Sequence, residues 1–173
     1  NVTLIRRGEA GRIDLAADFR SMAELLAASL APFGVAFETG EIAGSYCPGE
    51  FDLSIRGRKF CGLAQRRQLQ AFAVQAFVNA EGDSAARAAV VREFYRRAGG
   101  MEGMSGTGAA APVDVQPGVM GSLTELKPGF PGAEAWLQAL VSTLGHPHPL
   151  PKEGAEAARS VAASLRGRYD PRG

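Results

Sequence analysis

The chain has 173 residues, 46% of them hydrophobic and 21% charged, with a formal net charge of +1. That size suits one domain with its own core, and the near-neutral balance excludes the electrostatic pull toward nucleic acid that a basic protein exerts. No apolar run reaches bilayer length, and two cysteines are too few for a disulfide scaffold, so no membrane association and a cytoplasmic location are expected.

Val2 to Arg6 reads as a strand entered directly after Asn1, as though the natural polypeptide began earlier, and Arg6 to Arg12 as a charged turn. Asp14 is placed to cap a helix running to about Ala31, with Leu15, Phe19, Met22, Leu26 and Leu30 on one face. Pro32 and Gly34 stop it, a short strand is expected at 35–38, and a loop from Gly40 to Gly49 carries Cys47. Phe51 to Ile55 and Lys59 to Arg67 read as a hairpin around Arg56-Gly57-Arg58. Leu69 to Asn79 follows as an apolar strand expected to be covered on both faces.

Asp83-Ser84 opens a helix to about Arg97 whose inward residues are expected to be Val90, Val91 and Phe94, leaving Arg92, Arg96 and Arg97 solvated. Gly99 to Pro117 has neither strand nor helix period and reads as a linker. Ser122 and Glu125 stand at capping-box spacing. Ala133 to Leu144 forms a helix with Trp136, Leu137, Leu140 and Leu144 inward, and an Ala-rich helix spans about 154–165 after His146-Pro147-His148-Pro149. The order of elements predicts an α+β fold, a mixed and largely antiparallel sheet packed with helices.

Chemistry concentrates in residues 44–67. Cys47 sits in a Pro-Gly turn, and Lys59 follows twelve positions later at the start of a strand. A lysine held by a sheet can lower a nearby thiol's pKa and polarise an acyl carbonyl as charge develops on its oxygen. Strand alternation places Lys59, Cys61, Leu63 and Gln65 on one side and Phe60, Gly62, Ala64 and Arg66 on the other. Gly62 would admit a ligand or a second backbone at close range. The bland readings stand beside these: Cys61 as a small buried hydrophobe, Asp52 and Ser54 as the hairpin's polar face, Arg66 and Arg67 as charges blunting a strand end. His146 and His148 lack further ligands at metal spacing, so no metal site is expected.

The run Gly44-Ser45-Tyr46-Cys47-Pro48-Gly49, with Phe51-Asp52-Leu53-Ser54, Gly57-Arg58-Lys59 and Gly62-Leu63-Ala64-Gln65-Arg66-Arg67, resembles the central motif of the lipoate–protein ligase family, closest to its cysteine-containing octanoyltransferases. Val74-Gln75, Glu81-Gly82-Asp83 and Met120 to Leu126 are also similar to that branch. The resemblance implies a biotin/lipoate ligase-like catalytic domain with an acyl tunnel beside the motif lysine. Residues 1–100 would hold its motif-bearing portion, and 101–173 a loop and C-terminal helical appendage. It further implies that Cys47 carries an octanoyl or lipoyl thioester and passes it to a lysine of a lipoyl domain or H protein, with Lys59 activating the thiol. The donor would be an acyl carrier protein or H protein. Gly44, Ser45, Tyr46, Asp52, Ser54, Gly62, Gln65 and Arg66 would line the substrate.

That reaction needs no cofactor. An ATP-dependent lipoate–protein ligase, which would use ATP and Mg²⁺, is the alternative, and a non-catalytic lipoyl-domain or acyl-binding protein is the second. The sequence departs from the family pattern in two places. An Arg-rich Gly-Gly segment that family members carry ahead of the first strand is not matched by Arg6-Arg7-Gly8. Cys61 stands where alanine is common and, sharing Lys59's predicted face, is expected to be able to compete with Cys47 or pair with it under oxidation.

Overall fold

The computed structural model describes residues 1–7, 14–68, 71–99, 115–145 and 152–169. The expected charged turn after Arg7, most of the Gly99 to Pro117 stretch and the His146 to Pro149 segment lie outside the described residues. The chain divides into two compact units, Asn1–Thr143 and Leu144–Gly173. In the second, α5 spans Lys152–Tyr169. No helix among the described residues is long and apolar enough to cross a membrane.

The first unit is built on a five-stranded sheet in the order β1-β5-β4-β3-β2, every neighbouring pair antiparallel. Its strands are β1 Val2–Arg7, β2 Glu38–Thr39, β3 Leu53–Ile55, β4 Arg58–Gln68 and β5 Ala71–Val78. The expected strand at 35–38 shrinks to the two residues of β2. Gly34 turns the chain through a left-handed conformation (φ +62°), and Val35 then drops into the core instead of joining the ladder. The β3–β4 turn needs only two residues. Arg56 and Gly57 both have positive φ (+51° and +71°), the mirror-image geometry that matches strand twist, so Arg58 already belongs to β4.

Helix α1 (Leu15–Leu30) starts where Asp14 accepts a hydrogen bond from Ala17 N at 2.9 Å. It covers one face of the sheet with Met22, Leu26 and Leu30, while Leu15 is half exposed at 49%. These side chains meet Phe60, Cys61, Val74, Ala76, and Trp136 and Leu140 of α4 (Ala133–Leu144) in one core. The indole of Trp136 donates to Ser29 Oγ at 3.0 Å, and that hydroxyl donates to Leu26 O, so the buried polar atoms joining α1 and α4 are satisfied. Leu137 and Leu144, expected inward, face solvent.

The opposite face of the sheet is covered unevenly among the described residues: Lys59 is buried there, 3% exposed. Ile5 of β1 is 76% exposed and Phe77 of β5 is 51% exposed, so β5 alternates and is not covered on both sides. Helix α2 (Ser84–Gly99) presents a different row from the one its hydrophobicity suggests. Ala88, Val91 and Tyr95 pack against Tyr46, Val115 and Met120, while Val90 and Phe94 point outward. Ala88 is small and Tyr95 carries a hydroxyl, so the larger apolar side chains beside them misplace the stripe by one position.

At the N-terminus of α3 (Leu123–Leu126) the expected capping box forms, with Glu125 accepting from Ser122 N at 2.7 Å and from Ser84 N at 3.1 Å. Burial works against the charge, yet these hydrogen bonds hold the Glu125 carboxyl down at about 2, against an ordinary 4.5. Its stabilising contribution is therefore complete above pH 4.5 and lost as pH falls toward about 2. Glu125→Ala is expected to lower stability by about 1 kcal/mol at pH 7. The difference from the parent protein should vanish in denaturant titrations near the acid end of that window.

Candidate active site

The loop carrying Cys47 is held from three directions. Gly44 adopts φ +76°, its carbonyl accepts from Gln116 N at 2.8 Å, and a Cβ there would sit 3.0 Å from Gln116 Cδ. Phe51 stacks on Phe19 of α1 with ring centroids 4.7 Å apart. Between them, Asp52 closes the Pro-Gly turn by accepting from Gly49 N at 3.1 Å, while its own N–H returns to Gly49 O at 3.0 Å. Ser45 is buried and donates its backbone N–H to Ile42 O at 3.1 Å.

Cys47 is exposed and has φ +47°. A non-glycine residue rarely adopts that conformation, and one preceding a proline is ordinarily extended. The strain is held in place by Lys59, whose Nζ donates to Cys47 O at 2.8 Å and to Tyr46 O at 3.0 Å and pairs with Asp52 Oδ2 at 2.8 Å. An ammonium has three protons to give, and these acceptors take all of them. Lys59 and Asp52 are 3% and 2% exposed. Asp52 is thus no solvated hairpin residue. Burial raises its carboxyl above the ordinary 3.8, with the Lys59 hydrogen bond and charge pulling the other way.

Lys59 reaches this position because β4 contains a bulge. Leu53 pairs with Cys61 but Ser54 pairs with Lys59, leaving Phe60 as an extra residue. Phe60 and Cys61 consequently both enter the core, and alternation restarts with opposite parity. Lys59 therefore shares a face with Gly62 and Ala64, and the simple alternation that grouped it with Cys61, Leu63 and Gln65 is corrected. A Cβ at Gly62 would lie 3.4 Å from Lys59 Cε and 3.5 Å from Nζ, so the side chain rests on the glycine. Burial pushes the Cys61 thiol up to about 12, and at 1% exposure Cys61 packs with the core, unlike the exposed Cys47.

Cys47 and Lys59 line one cavity of about 280 Å³ with Tyr46, the Cys61–Ala64 stretch of β4, Phe77, Asn79 and Met120. One end is polar, where Asn79 Nδ2 donates to Tyr46 OH at 3.2 Å. Leu63, Ala64, Phe77 and Met120 give the cavity apolar walls beside Cys47 and Lys59. Met120 is locked beside Lys59 by a parallel bridge, by Gly121 N donating to Lys59 O at 2.9 Å, and by the Arg58 guanidinium on Met120 O.

Of the substrate-lining residues expected from sequence, Tyr46 and Gly62 line this cavity; Asp52 reaches it only through its pair with Lys59, and Gly44 and Ser45 shape the Cys47 loop without lining it. Ser54, Gln65 and Arg66 do not line it. Ser54 lies within 3.5 Å of Glu38 Oε2, Gln65 turns toward α1 and donates to Leu15 O at 3.3 Å, and Arg66 stands exposed beyond Ala64. A larger cavity of about 320 Å³ lies at the other end of β4 among Arg6, Arg7, Arg67, Asp14, Asp18 and Phe72, without a nucleophile. No group of three or more His, Cys, Asp or Glu residues suited to a metal occurs among the described residues.

Sequence reading missed Tyr95. Its hydroxyl lies 3.7 Å from Cys47 Sγ, a hydrogen-bond distance for sulfur. That hydrogen bond, the electrostatic effect of Cys47 and slight burial raise the Tyr95 phenol above its ordinary 10. The available signal was the spacing of Ala88, Val91 and Tyr95, three and then four residues apart on α2.

Residues 1–114 match the family of the lipoyl protein ligase A/B catalytic domain. Over 126 residues the chain is 45% identical to the octanoyl-[GcvH]:protein N-octanoyltransferase of Geobacillus kaustophilus, covering 73% of this chain and 43% of that one. Over 109 residues it is 39% identical to the lipoyl-[GcvH]:protein N-lipoyltransferase of Listeria monocytogenes, covering 63% and 38%. The chain thus spans less than half the length of these curated relatives. A crystal structure of lipoate–protein ligase A bound with ATP superposes with a TM-score of 0.64 at 17% identity, over 92% of this chain and 58% of that one. At that identity the likeness establishes the fold.

Proposed function

The chain belongs to the lipoyl protein ligase A/B catalytic-domain family, and from that premise we propose that it is the motif-bearing part of an octanoyl or lipoyl transferase that works through a Cys47 thioester. The observation that carries this reading is the strained, exposed Cys47 at the mouth of a largely apolar cavity, its backbone fixed by Lys59. A nucleophile needs access and a fixed approach to its carbonyl, and the apolar walls suit a medium-length acyl chain. The relatives named above act on octanoyl- or lipoyl-[GcvH]. By that likeness the donor is an acylated H protein and the acceptor a lipoyl-domain lysine. The acyl group arrives already joined to a protein, so the relay calls for no nucleotide.

Lys59 serves the relay by holding the Cys47 turn through its two carbonyls, with Asp52 keeping the ammonium in place. Incubating the complete protein with octanoylated H protein is expected to give a hydroxylamine-sensitive adduct on the peptide containing Cys47. Transfer to a lipoyl domain should then proceed without ATP. No adduct, or transfer only from free acid with ATP and Mg²⁺, would overturn the reading.

A further inference from the structure

If the transfer runs from one protein lysine to another, as proposed above, it breaks one amide and makes another. An amine is a poor leaving group unless it receives a proton as its bond to carbon breaks. The residue supplying that proton must stand beside the sulfur, because the scissile carbon is bonded to both. Lys59 is occupied, with its three protons directed at Asp52, Tyr46 O and Cys47 O. Among the described residues the hydroxyl of Tyr95 is the hydrogen-bond partner of Cys47 Sγ. The phenol is fixed on α2 by the packing of Ala88 and Val91 and by Phe94, whose ring meets it edge-on at 5.8 Å.

We propose that Tyr95 is the proton donor and acceptor of the acyl transfer. The Cys47 thiolate attacks the amide carbonyl of the donor. As the tetrahedral adduct collapses, the C–N bond pair goes to nitrogen, which takes the Tyr95 proton and leaves as a neutral amine. The thioester and a Tyr95 phenolate remain. The acceptor's ammonium gives a proton to that phenolate, and the resulting neutral amine attacks the thioester. The C–S bond pair returns to sulfur, restoring thiolate and phenol. The surplus proton on the new amide nitrogen passes to water, balancing the one the released donor amine takes up.

A phenol suits this task because its ordinary pKa near 10 lies close to the roughly 10.4 of a lysine amine. The proton can then pass to the departing amine, and back from the acceptor's ammonium, with little free-energy change in either direction.

The test compares two octanoyl donors on the complete protein, parent and Tyr95→Phe. One is octanoylated H protein, whose amine must be protonated. The other is p-nitrophenyl octanoate, whose leaving group departs as an anion. The substitution is expected to slow transfer from the amide donor by about 10²- to 10⁴-fold, while Cys47 acylation by the ester stays within about threefold of the parent. The ester arm also shows that the variant is folded. An equal loss on both donors, or none on the amide, would overturn the role of Tyr95. If the parent accepts octanoyl from neither donor, the thioester relay itself fails.

Discussion

Lys59→Met is expected to lower the unfolding free energy by about 3–5 kcal/mol at neutral pH and to reduce acyl transfer by about 10²-fold or more. The stability loss comes from Asp52. Its carboxylate is 2% exposed and balanced by an ammonium 2.8 Å away. Removing the lysine leaves a buried charge with only the Gly49 N–H to meet it. The loss should depend on pH in a definite direction. Burial already raises the Asp52 carboxyl above 3.8, and without Lys59 it rises further. A raised folded-state pKa means that the stabilising, protonated form is fully present below 3.8 and is lost as pH climbs through the raised value. The deficit of Lys59→Met relative to the parent should therefore shrink on mild acidification and be largest at pH 7.

Combining it with Asp52→Leu separates fold from function. The double variant removes both charges, and replacing a buried pair with apolar groups is often neutral, so most of the lost stability should return. Activity should not, because the carbonyls of Tyr46 and Cys47 have lost the donor that fixes the strained turn. Denaturant titration and transfer assays on the same three proteins check both statements. Recovery of transfer in the double variant would show that Lys59 acts only by neutralising Asp52.

The parts of this site that sequence made legible are those set by residue type: a cysteine in a Pro-Gly turn, a lysine at a strand start, a glycine beneath it. The β3–β4 hairpin and the first helix were equally readable, because Arg56-Gly57 marks the turn, Asp14 caps α1, and Met22, Leu26 and Leu30 keep an unbroken stripe. The geometry between them was not readable. Phe60 and Cys61 are both apolar, and nothing in their order reveals that they sit on the same side of β4. The bulge they create decides which face Lys59 serves, since a single extra residue reverses the parity of everything beyond it. Tyr95 was hidden for a related reason. A helix advances about 100° per residue, so choosing Phe94 over Tyr95 rotates the predicted contact face away from the one that meets Met120 and Cys47.

Cys47→Ala and Cys47→Gly are both expected to reduce transfer by about 10³-fold or more, since each removes the proposed nucleophile, whereas Cys61→Ala should leave it within about twofold. The two Cys47 variants should differ in stability, and the sign of that difference tests why the turn is strained. With φ at +47°, a side chain at position 47 opposes a left-handed backbone at a cost of about 1–2 kcal/mol. Alanine keeps that conflict. Glycine removes it, although its freer unfolded chain takes back roughly 0.4–1 kcal/mol. The glycine variant should thus be the more stable by about 0.5–1 kcal/mol, or about 1–4 °C in Tm. A cysteine kept where glycine would fold better is held there by something other than folding, and presentation of the sulfur to an acyl carbonyl supplies that reason. If alanine is instead the more stable, the loop relaxes freely around position 47, and the positive φ is then no sign that Lys59 holds the nucleophile in place.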